Sequence, residues 1–142
     1  PISSDYGYKH SDTRRSVYVP VFRNALSEVL EVFDFADTSM VTGRRDASTV
    51  ASQALLMMNH PFVLEQASAA ADRLLAEKPA DDAAAVVRAY RLTLNRPPTE
   101  AEAKVALRHL AGSAAAGSAE KKAAWAMLFQ ALFASVEFRY VN

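Results

Sequence analysis

The residues best equipped for chemistry are Arg44 and Arg45, in the turn Gly43-Arg44-Arg45-Asp46. An apolar run from Ser48 to Met58 follows almost at once. If that run is a helix, its first turn offers N–H groups without intrahelical partners and a partial positive charge. Arginine adds a planar fork that grips phosphate, sulfate or carboxylate through two parallel bonds. One reading of this corner is therefore an anion site, with Arg15 and Arg23 as further contributors. The other reading is internal. The arginines pair with Asp34, Asp37 or Asp46, and these carboxylates, with Asn59, organise the long loop between residues 34 and 46. Arg–carboxylate forks serve loops as readily as ligands.

Other chemistries find less support. The three histidines, His10, His60 and His109, are not spaced as metal ligands. His60, in Asn59-His60-Pro61, is expected to help hold a turn. Asp34 and Asp37 could act as acid and base only with perturbed pKa values in a cleft, and short acidic side chains commonly serve turns. No serine stands in Gly-x-Ser-x-Gly. The four glycines make no phosphate-cradling loop. The absence of cysteine removes disulfides, thiolate ligands and a cysteine nucleophile. The sequence thus assigns no catalytic residue, no metal and no cofactor.

The elements that would position these residues are helical. At 142 residues, 51% hydrophobic and 23% charged, the chain can bury a real core. Lys+Arg and Asp+Glu number 16 each, so no net field draws nucleic acid or an anionic membrane. No apolar run reaches the roughly 20 residues of a membrane span. Residues 16–21, Ser-Val-Tyr-Val-Pro-Val, predict an extended lead-in, since Pro20 disfavours helix at Val19. A short helix is predicted over 24–33 from the spacing of Ala25, Leu26, Val29, Leu30 and Phe33. The run 48–58 is apolar on most sides and predicts a buried helix. Helix restarts at Pro61, with Val63, Ala67, Ala70, Ala71 and Leu74 inward, and ends before Pro79.

Asp81 and Asp82 open the next helix, where Ala83, Val87, Tyr90 and Leu94 form the inward stripe. Pro97-Pro98 stops it. Thr99 to Glu102 is a capping box, with Ala103, Leu107 and Leu110 inward beyond it. The last predicted helix covers about 120–136, with Trp125, Leu128, Phe129, Leu132 and Val136 on one face and Met127 and Phe133 beside it. The expectation is an all-α chain of about six helices in bundle-like or orthogonal packing. It reads as one helical domain over 1–142, within which residues 79–142 could form a three-helix unit. The chain opens on Pro1 and shows no signal-peptide pattern, so it reads as part of a longer polypeptide whose targeting information lies upstream.

Several blocks in order form a signature: Arg15-Ser16-Val17-Tyr18, Val32-Phe33-Asp34 with Asp37, Gly43-Arg44-Arg45, and Thr49 leading to Gln53-Ala54-Leu55 and Asn59. They continue with Ala89-Tyr90-Arg91, Arg96-Pro97-Pro98-Thr99-Glu100, Ala124-Trp125, Gln130-Ala131-Leu132, Ser135, Glu137-Phe138 and Tyr140-Val141. Together they resemble the C-terminal part of the planctomycete family known as domain of unknown function 1553. The resemblance implies a large exported protein of the periplasm, cell envelope or exterior. Its relatives often carry a c-type haem domain, but the Cys-x-x-Cys-His attachment residues are not in this chain. The implied partners are other domains of the same polypeptide. A sulfated or otherwise anionic carbohydrate is the alternative ligand for the Arg44–Arg45 corner.

Overall fold

The computed structural model describes Tyr18 and residues 28–33, 50–112 and 117–140. The fold is all-α, and among these residues there is no strand. Of the lead-in segment only Tyr18 is described, and it is exposed. The chain divides into two compact units, Pro1–Leu56 and Met57–Asn142.

In the first unit, α1 spans Glu28–Val32. Helix α2 spans Val50–Asn59 and crosses the division. Gln53 is buried, and its Nε2 donates to the Val32 carbonyl at 3.4 Å, which ties α2 to the end of α1. Leu56 is buried too, but Leu55 and Met58 are 60% and 51% exposed. Composition predicts a buried helix over 48–58, but α2 is covered on one side only. Apolar composition sets what a helix would gain from cover, and neighbours decide which faces receive it.

The second unit runs through α3 (Pro61–Ala76), α4 (Asp82–Leu94), α5 (Glu100–Ala111), α6 (Ser118–Ala134) and α7 (Val136–Arg139). Apart from α6, which starts at Gly117 without a side-chain cap, its helices begin where side chains satisfy free N–H groups. His60 is the N-cap of α3, and its Nδ1 accepts from the Phe62 N–H at 3.2 Å, so it holds the turn as the cap itself. Pro61 follows at the first helical position, where its missing N–H costs nothing. Asp81 accepts from the Ala84 N–H at 2.7 Å and starts α4. Asn95 ends α4 in the left-handed region, φ 56°, which asparagine tolerates better than most residues. Thr99 and Glu102 close the capping box of α5 from both sides, at 3.3 and 2.7 Å.

The predicted final helix is α6, which ends at Ala134, and a separate short helix, α7, follows. Ser135 adopts an extended backbone, φ −65° and ψ 151°. Its hydroxyl donates to the Leu132 carbonyl at 2.7 Å and accepts from the Phe138 N–H at 3.2 Å. One side chain thus closes α6 and caps α7, the local competition with helix that serine is prone to. Val136 is consequently 58% exposed rather than in the core.

Packing centres on α3 and α6, the most extensive helix pair. Ala67 and Ala71 on α3 are almost wholly buried, and side chains this small let two helices approach closely. Trp125, Leu128, Phe129 and Leu132 of α6 join Leu74 of α3, Ala85, Val86, Ala89 and Tyr90 of α4, and Ala106 and Leu110 of α5 in one cluster. The inward face of α4 departs from the predicted stripe: Ala83 is exposed and Val87 and Leu94 are half-buried. Helix α4 touches α3, α5, α6 and α7, so several of its faces are covered and no single stripe describes it. The second unit, Met57–Asn142, includes α3, the main partner of α6.

Trp125 is fully buried, and its Nε1 has no hydrogen-bond partner among the described residues. An orphaned buried donor costs about 1–3 kcal/mol. Burying the indole, about 200 Å² at about 25 cal/mol per Å², contributes roughly 5 kcal/mol. Burial wins, and tryptophan stays inside. Between α5 and α6, the His109 ring lies with Nε2 3.0 Å from the Ala124 carbonyl. A carbonyl only accepts, so Nε2 carries the proton.

This arrangement separates two side chains that the helical pattern alone treats alike. Leu74→Ala should destabilise the chain by about 2–5 kcal/mol in chemical denaturation. Met127→Ala, at a position 59% exposed, should stay within about 0.5 kcal/mol of the parent. Equal losses at both positions would misplace the core.

Candidate functional site

The residues singled out from sequence fall mostly outside the described part of the chain. Arg15, Arg23, Arg44, Arg45, Asp34, Asp37 and Asp46 all lie there. Asn59 is described: it is the last residue of α2 and is exposed. The structure instead brings together Arg96, Glu102 and Glu137, with Tyr90 beside them.

This cluster grows from local chain logic. Asn95 turns the chain out of α4, and Pro97-Pro98, which cannot continue a helix, lead to Thr99, the cap of α5. Arg96 is left at the corner, facing Glu102 on the first turn of α5 and Glu137 on the first turn of α7. Both carboxylates sit where a helix dipole favours negative charge. The Arg96 Nε and Nη2 donate to Glu137 at 2.7 and 2.8 Å. Nη1 and Nη2 donate to Glu102 at 2.9 and 2.8 Å, and Nη1 donates again to the Pro97 carbonyl at 3.0 Å. A guanidinium has five N–H donors, and these bonds use them all. Glu102 Oε2 also takes the Thr99 N–H. The guanidinium carbon lies 5.9 Å from the Tyr90 ring centroid, within cation–π range.

The electrostatics follow from that geometry. The Arg96 hydrogen bonds, reinforced by the Thr99 N–H, hold the Glu102 carboxyl well below the usual range, at about 2. Glu137 is lowered by the same guanidinium, while the nearby Glu102 charge opposes the shift. Arg96 itself is raised by its two carboxylate partners. Burial pushes the Tyr90 phenol up, and the Glu102 charge pushes the same way. One guanidinium against two carboxylates leaves the cluster with an excess negative charge. The guanidinium donors are all engaged and the net charge does not attract an anion, so its chemistry is to join α4, α5 and α7.

Sequence reasoning saw the capping box and the Arg96-Pro97-Pro98 block, but not the clamp. The Arg96–Glu102 pair had a signal, an arginine just ahead of a capping box whose Glu points back. Glu137 had none, because 41 residues separate it from Arg96.

A second feature lies on the far side of α6. Among the described residues, a shallow groove of about 380 Å³ runs between α3 and α6, lined by Leu64, Ser68, Ala123, Met127 and Gln130 with neighbouring alanines. On α6, Ala119, Ala123, Met127 and Ala131 recur every fourth position, and all are exposed. Lys122, the charged side chain of the lining, already pairs with Asp72 at 2.8 Å. Gln130 donates its amide to the Met58 carbonyl. Helix α6 therefore has apolar residues around most of its circumference, with the core covering one side only.

Among the described residues no group of three or more His, Asp or Glu could hold a metal ion. No helix among them is long and apolar enough to cross a membrane. What remains is an all-α module in which, among the described residues, the densest ionic cluster engages its one guanidinium internally. A family model described as "Protein of unknown function (DUF1553)", PSD1, matches residues 3–110, and the chain belongs to that family. The matched range ends within α5, so α6 and α7 lie beyond it. No curated protein and no solved structure matches the chain.

The clamp predicts a pH signature. Glu102 has a folded value below its unfolded one, so its contribution is complete above about 4.5 and fades as pH falls toward about 2. In thermal unfolding, the gap between parent and Glu102→Gln should be widest near neutrality and narrow steadily across that window. A gap independent of pH would mean that the carboxylate charge does not hold the corner. Arg96→Ala should lower the melting temperature more than Arg88→Ala, since among the described residues Arg88 pairs with Glu77 alone.

Proposed function

We propose that this chain is a non-catalytic helical module of a larger exported bacterial protein, and that it packs against other domains of the same polypeptide. The uncharged, exposed stripe of α6 beside the α3 groove carries this reading. Apolar surface gains about 25 cal/mol per Å² when it leaves water, and exposed apolar patches commonly mark interaction faces. Because Lys122 is already paired with Asp72, an occupant would meet no unmatched charge there. Residence in the periplasm, envelope or exterior rests on the family resemblance. The alternative, an anionic or sulfated carbohydrate held by Arg44 and Arg45, draws on residues outside the described part of the chain.

A photo-crosslinking amino acid placed at Met127 in the parent polypeptide tests the packing role, with exposed Lys104 on α5 as the control position. Position 127 should form adducts to another domain of the same polypeptide, and position 104 should not. Met127→Glu should weaken that association about tenfold or more, because it places a charge in an apolar contact. Adducts at neither position, with Met127→Glu without effect, would remove the proposal.

A further inference from the structure

We draw no further inference here: the strongest candidate, the shallow apolar groove between α3 and α6, belongs to the site already described, and nothing in the structure shows what covers it.

Discussion

The second unit depends on the close approach of α3 and α6. Ala67 and Ala71 remove the side-chain bulk that would hold the helices apart. Trp125 and Phe129 then fill the space bordered by α4 and α5. Dispersion and apolar burial reward that fit, since interiors pack like organic crystals and a missing methylene is felt. The indole is retained with its N–H unpartnered among the described residues, as expected where buried volume outweighs one hydrogen bond.

Helices α4 and α5 pack on that pair through the core, and their ends are fastened as well. Helix α4 stops at a left-handed asparagine, and the chain reaches α5 in a few residues. Arg96 sits in that short span and fastens three helix ends with a single guanidinium. Its carboxylate partners would otherwise repel each other. Exposed ion pairs contribute little singly. The gain here comes from geometry: two bidentate forks, a backbone carbonyl and an aromatic face fix one orientation. Helix α7, only four residues long, could not persist alone. It is held by the Ser135 cap, by the Glu137 fork, and by Phe138, whose ring lies 5.0 Å from that of Phe133.

Local chemistry was the legible part of this fold. Pro61, Asp81, the Thr99–Glu102 box and the double proline each mark a boundary by a mechanism acting within a few residues, and each boundary is where that chemistry places it. The inward faces of α3 and of most of α6 were readable for a similar reason, since each packs one main face. Three features escaped. The face of α4 is set by several neighbours at once, the break at Ser135 by a serine that looks unremarkable inside an apolar run, and the Glu137 contact by tertiary placement alone. The exposed side of α6 was hidden by the very property that makes it notable. A helix apolar on several sides has no stripe to say which side is inside.

Native-state hydrogen exchange on the whole chain tests the central claim, that the α3–α6 pair is the last structure to open and the Arg96 clamp fastens helix ends to it. The account predicts that amides of Ala67–Leu74 and Trp125–Leu132 exchange together, at the rate of global unfolding. In Arg96→Ala, α7 and the first turn of α5 should exchange faster, relative to global opening, while the α3 and α6 amides remain one class. If α3 opens in a separate, lower-energy step while α4 to α6 stay protected, the α3–α6 contact is peripheral and the account is wrong.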